Sequence, residues 1–407
     1  MDRKIIINNI KQQITDFGLE VAFKLMIKGN HYELVYKIYS KEVRGVPKLC
    51  DAVVVTFLAY AIEHELDFCS ELPISAELYY KIMKHIIPQL SVCNNKENKI
   101  SLNMPLSNET FDGKWVGTGI SLGVDSLTTI HEYDEDSITD DYRLTHLVHL
   151  KTGAHHGSLG HFDKELEQKL FLLENNRVRK YCEEFGYNLI TIETNLFEIT
   201  NAEFGWNFDT THIFRNLGCI VLLQNYFNKY YYASAYNLDA FGMSLNKPNA
   251  HYEKWLIPYL SNKSISFYSA NEDMSRVEKT KYISKFEDTY NSLHVCWRSE
   301  SNCGKCAKCI RTLVTLDILG VLDKYKNSFN VDEYYKNRDI YIGELILNRI
   351  TDEHFNEIYE FAKANNMNFT RSVESKIICL KWCLRKFAEY GIIGVLKRVK
   401  IKLTHQI

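Results

Sequence analysis

The hydrophobic positions of this chain change rhythm near residue 114. Before that point, residues 20–28 and 32–39 alternate apolar and polar side chains, which predicts two strands. Gly29-Asn30 between them predicts a hairpin turn. Residues 51–64 and 75–90 carry apolar positions at helical spacing, with Asp51 and Ser75 as expected N-caps. Residues 99–103 read as a short strand leading out. Residues 1–112 are therefore expected to form an α+β domain.

From Lys114 onward the pattern repeats as strand, turn, helix. Strands are predicted at 115–121, 144–150, 188–193, 230–235 and 265–270. Helices are predicted from Asp125, at 163–185, at 211–228 and at 252–260. This alternation predicts an α/β fold, with a parallel sheet covered by helices on both faces. Ligands of such folds lie beyond the C-terminal ends of the strands. A short apolar helix is expected at 312–320. The expected division is thus 113–322 for the α/β domain and 323–407 for a C-terminal helical region.

Residues 381–402 carry Lys381, Arg385, Lys386, Lys397, Arg398, Lys400 and Lys402 against the single acid Glu389, with apolar residues between them. The expected reading is the solvated face of a packed helix. Contact with a membrane surface or a protein partner is the alternative.

Composition narrows the class. Of 407 residues, 45% are hydrophobic and 25% charged, and the net charge is −2. That is ordinary globular composition and argues against a protein that binds nucleic acid by bulk electrostatics. The apolar run at 52–62 is too short to cross a bilayer. Eleven cysteines could mean a disulfide scaffold. The first residues carry no apolar stretch of signal-peptide length, so a reducing cytoplasm is the expected compartment.

Four of those cysteines cluster: Cys296, Cys303, Cys306 and Cys309. Thiolates at two-residue spacing can converge on one tetrahedral ion, and zinc is the usual occupant. Gly304 suits the sharp turn such a knuckle needs. An iron–sulfur cluster is the rival occupant. Four protein thiolates leave no open coordination position, so the expected role is structural. Cys379 and Cys383 lie one helical turn apart and read as packing residues.

A second signal is the run Ser121-Leu122-Gly123-Val124-Asp125-Ser126, which follows a predicted strand and opens a predicted helix. A glycine-containing turn at a helix N-terminus is suited to phosphate. Ser121 and Ser126 can donate hydroxyl hydrogen bonds, and Asp125 can cap the helix or help hold magnesium. The spacing fits neither the Walker A loop nor the dinucleotide fingerprint.

This run resembles the S-G-G-x-D-S signature of the PP-loop ATP pyrophosphatases, an adenine-nucleotide α-hydrolase-like superfamily with a Rossmann-like fold. Together with the later cysteine cluster, it resembles the 7-cyano-7-deazaguanine synthase-like subgroup. Phe214-Arg215-Asn216 is similar to that subgroup's G-R-N, and Asn237-Leu238-Asp239 to its substrate-facing segment. The sequence departs from the pattern at Leu122, which replaces the first glycine of the pair. It departs again at 151–156, where the Gln–Arg pair of G-Q-R-H is missing although Gly153 and His156 are similar. Thr312 stands where the family has an arginine, and Arg311 falls one position early.

The resemblance implies an ATP-dependent ligase that cleaves ATP to AMP and pyrophosphate. It would adenylate an acceptor carboxylate or amide, which then reacts with a nitrogen nucleophile. ATP, Mg²⁺ and Zn²⁺ are the implied cofactors. Asp125, Arg215 and Asp239 are the expected catalytic residues. Ser121, Leu122, Gly123, Val124, Asp125, Ser126, Lys151, Gly153, Arg276 and Lys279 are the expected nucleotide contacts, and His155 and His156 are further candidates. The expected partners are a small-molecule or modified-base acceptor, a second copy of the chain, and a protein bound through the terminal regions. Two alternatives stand beside this reading: an adenylating enzyme acting on a protein or polysaccharide precursor, and a non-catalytic nucleotide sensor.

Overall fold

The computed structural model describes residues 3–97, 99–135, 139–154, 164–205, 208–243 and 248–365, together with residues 384, 385, 387 and 391. The chain forms two compact units. One comprises Met1–Ser121 with Asp125–Asp273, the other Leu122–Val124 with Met274–Ile407.

The first unit is built on one ten-stranded sheet. Its strands are β1 (Lys4–Thr15), β2 (Gly18–Ile27), β3 (Asn30–Tyr39), β4 (Asp67–Ser70), β6 (Leu102–Asn103), β8 (Trp115–Gly119), β9 (His146–Lys151), β10 (Asn188–Thr194), β11 (Phe227–Ala233) and β12 (Ser266–Ala270). The short strands β5 (Ile74–Ser75) and β7 (Leu106–Ser107) pair separately. The order across the sheet is β12-β11-β8-β9-β10-β3-β2-β1-β4-β6. Strands β8 to β12 are mutually parallel. From β8 the chain goes to β9 and β10 on one side, then returns to β11 and β12 on the other. The order therefore reverses beside β8, and a crevice opens at such a switch point.

The N-terminal strands extend this same sheet. β3 pairs antiparallel with β10, with Tyr39 opposite Thr191. Residues on both sides of the expected boundary at 112 thus share a sheet, and the compact units divide after Asp273. Strand β1 was not legible in the period-two pattern because a bulge between Ile7 and Asn9 shifts its phase. Ile5, Ile7 and Ile10 are all buried as a result. The β2–β3 turn is made by Lys28 and Gly29, both at positive φ, with Ile27 paired to Asn30. This is one residue earlier than expected.

Helices cover both faces of the sheet. On β9, Val148 joins the core cluster that includes Val54 and Phe57 of helix Asp51–His64 and Leu217 and Ile220 of helix His212–Val221. A Cβ on Gly218 would lie 2.1 Å from the Thr56 hydroxyl, so these two helices cross at close range. The next residue, His149, faces helix Lys164–Phe185, with Nδ1 3.1 Å from Asn175 Oδ1 and Nε2 3.4 Å from Glu174. The helix expected at 211–228 ends at Val221, because the aromatic run from Phe227 enters the sheet.

Of the two expected N-caps, Ser75 does hold the cap position of helix Ala76–Lys81, but its side chain bonds Asp51 rather than the helix backbone. Cys50 holds the cap position of the first helix. The buried Asp51 carboxylate instead accepts from Ser75 N (2.8 Å), Ser75 Oγ (2.5 Å), Gln224 Nε2 (3.1 Å) and Asn262 Nδ2 (3.4 Å). The expected helix at 75–90 is split into Ala76–Lys81, a wider turn at Ile82–Ile86, and Ile87–Cys93. Pro88 lacks the N–H that an uninterrupted α-helix requires there.

The second unit is helical, with segments Arg276–Ile283, Asp288–Ser292, Ala307–Ile318, Val331–Lys336, Arg338–Asn348 and Glu353–Ala364. The helix expected to begin at 312 begins at Ala307. Cys306 is its N-cap, and the Cys306 sulfur accepts from the Cys309 N–H at 3.5 Å. Among the described residues, no helix is long and apolar enough to cross a membrane.

The Asp51 cluster gives a direct test. Ser75→Ala and Asp51→Asn should each lower stability by about 1–3 kcal/mol in denaturant unfolding, since each leaves buried groups unmatched. The double variant should lose less than the sum. Strict additivity would show that the two residues act independently.

Candidate functional site

The loop after β8 lies at the switch point of the sheet. Strand β8 ends at Gly119, and Ile120 still donates to the Val148 carbonyl at 3.0 Å. Helix Val124–Tyr133 begins four residues later. The Ser121 and Ser126 hydroxyls stand 3.3 Å apart, and Ser121 N–H reaches Ser126 Oγ at 3.4 Å. Leu122 and Val124 are buried, Ser121 is exposed, and Gly123 and Asp125 are half-buried. Within the second unit, the Leu122 carbonyl accepts from the His294 N–H at 2.8 Å.

Leu122 has φ +56°. This left-handed backbone costs a leucine about 1–2 kcal/mol and a glycine almost nothing. The residue that departs from the resembled glycine pair therefore still adopts the backbone conformation a glycine would favour.

The C-terminal end of β9 is tied to that of β11 by a polar chain. Thr152 Oγ1 donates to Asn216 Oδ1 (2.6 Å), Asn216 Nδ2 donates to Tyr232 Oη (3.3 Å), and His212 Nδ1 lies 2.8 Å from the same Oη. Burial and then the Glu253 carboxylate push the Tyr232 hydroxyl pKa upward. Arg215 is wholly buried. Its Nη1 donates to the Thr152 carbonyl at 3.1 Å and its Nη2 to the Tyr60 hydroxyl. The guanidinium lies 5.7 Å from the ring centres of Tyr60 and Phe197 and 5.9 Å from that of Phe208. Nε has no hydrogen-bond partner, and among the described residues no carboxylate lies within ion-pairing distance. Gly153 sits at φ +99°, where a Cβ would come within 2.5 Å of the Phe197 ring.

Other expected contacts have different surroundings. Lys151 pairs with Glu193 (3.2 Å) and Glu167 (4.0 Å) and donates to Gln168. It therefore joins the sheet to helix Lys164–Phe185. Burial raises the Glu193 pKa, but the charge and hydrogen bond of Lys151 outweigh it, and the net shift is downward. Asp239 is exposed on the 3₁₀ turn Leu238–Ala240 after β11. His155 and His156 lie outside the described residues, as do Cys379, Cys383 and most of the basic segment at 381–402.

Arg276 and Lys279 belong to the second unit, in helix Arg276–Ile283, which opens with a capping box between Ser275 and Glu278. The Glu357 carboxylate accepts from Arg276 N (3.2 Å) and Val277 N (2.6 Å). No local signal in the sequence announces this contact, because Glu357 comes from a helix much later in the chain.

The four clustered cysteines do converge. Their sulfurs all lie within 4.8 Å of one another. Cys303 and Cys309 are 4.0 Å apart, as are Cys296 and Cys306. Zinc–sulfur bonds of about 2.3 Å place tetrahedral sulfurs about 3.8 Å apart. A disulfide would need about 2.05 Å. The arrangement fits a metal ion such as zinc. The close contacts with Cys296, Cys306 and Cys309 hold the Cys303 pKa well below the usual thiol value, while the pKa values of Cys306 and Cys309 are raised.

Asn302 braces this centre. Its Oδ1 accepts from Val295 N (2.8 Å) and Cys296 N (3.2 Å), and its Nδ2 donates to the carbonyls of Leu293 and Ser328 (both 2.9 Å). Gly304 turns the chain at φ +68°. Sequence reasoning missed Asn302, because a polar residue between ligands reads as an ordinary loop position.

Comparison with protein-family models, with curated proteins and with solved structures finds no match to this chain. The site is therefore read from its own chemistry.

Two measurements test these assignments. Protein purified from zinc-supplemented medium should carry about one zinc per chain by elemental analysis, and Cys303→Ser should lower both zinc content and melting temperature. Unchanged zinc content in that variant removes the cluster from metal binding. Glu193 has a folded pKa below its ordinary value near 4.5. Its contribution to stability is therefore full above that value and is lost as pH falls through the folded one. Lys151→Met should flatten the acid side of the stability–pH curve, measured by thermal unfolding between about pH 3 and 6.

Proposed function

We propose that the chain is an ATP-dependent ligase of the 7-cyano-7-deazaguanine synthase-like type. The observation that carries this reading is the turn at Ser121–Ser126. It stands at the switch point of a parallel sheet, opens a helix, holds two hydroxyls together and keeps a glycine-like backbone at Leu122. Such a turn suits a pyrophosphate group.

Arg215 supports an anionic ligand at the same edge of the sheet. A buried guanidinium without a carboxylate partner is costly, and an anion nearby would offset that cost. Its present hydrogen bonds make it first a positioning residue, which holds the end of β9 through Thr152. Asp125 is the loop carboxylate suited to magnesium, whose role there would be to offset phosphate charge. The cysteine centre, with all four positions filled by the protein, would serve structure.

The reaction follows from these parts. An acceptor carboxylate oxygen attacks the α-phosphorus of ATP, and the bond to the β-phosphate oxygen breaks. Pyrophosphate leaves, and the acceptor carries AMP. A nitrogen nucleophile then attacks the activated carbon, AMP departs, and the nitrogen loses its proton. The protein's share is positioning and charge stabilisation. A protein or polysaccharide carboxylate would fit the same chemistry.

Purified protein with ATP, magnesium, ammonium as the nitrogen donor and a panel of acids should release AMP and pyrophosphate in equal amounts. Leu122→Gly should keep ATP affinity within about threefold by calorimetry, because glycine adopts the left-handed backbone freely. Leu122→Val should lower it by about tenfold or more, because a β-branched residue resists that conformation. Absence of any adenine-nucleotide binding by folded, metal-loaded protein overturns the proposal. Binding without turnover across the panel favours the sensor reading.

A further inference from the structure

The residue after β12 combines two costs that a purely structural position would avoid. Asn271 follows Ala270, the last residue of β12, at the C-terminal edge of the sheet. Its φ is +58°, in the left-handed region. Asparagine tolerates that region better than most residues, but not without strain. Only 4% of Asn271 is exposed.

Its side chain reaches the helix that the phosphate-type turn opens. Thr129, in helix Val124–Tyr133, places its Oγ1 2.6 Å from Asn271 Oδ1 and 3.0 Å from the Asp125 carbonyl. The hydroxyl has one proton, and the shorter contact takes it. The amide nitrogen of Asn271 sits on the same carbon as Oδ1 and has no hydrogen-bond partner. Two N–H donors are thus buried and unmatched beside the first turns of this helix. Unmatched buried donors are rare, and together with backbone strain they mark sites that a ligand completes.

We propose that Asn271 is a nucleotide-binding residue whose amide N–H group donates to the pyrophosphate portion of the ligand held at Ser121–Ser126. The proposal rests on the ATP reading above and deepens it. The chemistry selects an acceptor-rich group, because phosphate oxygens accept hydrogen bonds and the orphaned atom only donates. With the Thr129 hydroxyl donating to Oδ1, the nitrogen is the amide atom left for a ligand. Asn271 is therefore assigned direct contact, and Thr129 the role of positioning it.

Asn271→Gly is the informative variant. It removes the amide and relieves the left-handed backbone, so folding should be preserved, as judged by an unchanged or raised melting temperature. Calorimetry with ATP, inorganic pyrophosphate and AMP should show about a tenfold loss for ATP and pyrophosphate and less than twofold for AMP. Asn271→Asp, which sets a carboxylate against phosphate, should lose more. If wild type binds ATP and Asn271→Gly binds ATP and pyrophosphate equally well, this inference fails while the ATP reading stands. A loss confined to AMP also overturns it, by moving the contact to the nucleoside. Wild-type protein that binds none of the three ligands overturns the ATP reading and this contact together.

Discussion

The parallel pairing of β8 on both of its edges is the constraint on which the site depends. β9 lies on one side and β11 on the other, and the chain reaches them in opposite directions across the sheet. That arrangement leaves the segment after β8 without a crossover on top of it, which is why crevices form at such points. Burial of Leu122 and Val124 then fixes the turn, while Ser121 stays exposed. The left-handed residue is held there by packing that outweighs its modest strain.

Around this centre, polar groups lie at the C-terminal ends of neighbouring strands. Thr152, Asn216, Tyr232 and His212 join the ends of β9 and β11. Thr129 and Asn271 join the loop helix to the end of β12. Arg215 adds a buried positive charge with hydrogen bonds but no carboxylate among the described residues. A buried network of this kind is costly unless its groups are matched, so the orphaned atoms carry more information about a ligand than the satisfied ones. The other face of β9 shows the contrast. There Lys151 and His149 lie against the acids of helix Lys164–Phe185, each within pairing distance of a carboxylate.

The second unit gathers metal-type chemistry into a short stretch of chain. Asn302 ties the segment bearing Cys296 to the knuckle that bears the other three cysteines, using both ends of its amide. Glu357 supplies the carboxylate that caps helix Arg276–Ile283. A helix N-terminus attracts a negative charge, and here the protein provides its own. The same principle applies to two helices with different outcomes: one has an internal carboxylate, the other the turn proposed to hold phosphate.

The sequence by itself determined the alternation of strands and helices after residue 114, the turn from Ser121 that opens a helix, and the convergence of four cysteines. Those are local properties: hydrophobic period, a glycine beside hydroxyls, and ligands a few residues apart along one short stretch. Tertiary structure alone decided that the N-terminal strands would join the same sheet, since pairing of β3 with β10 depends on residues far apart in the chain. It also decided that Asp51 would meet Ser75, that Lys151 would be claimed by acids, and that Arg215 would be buried without one. A charge or a cap residue has the same local signature whichever partner it finds. Its partner is set by which surfaces the hydrophobic core brings together, and that is a property of the folded chain.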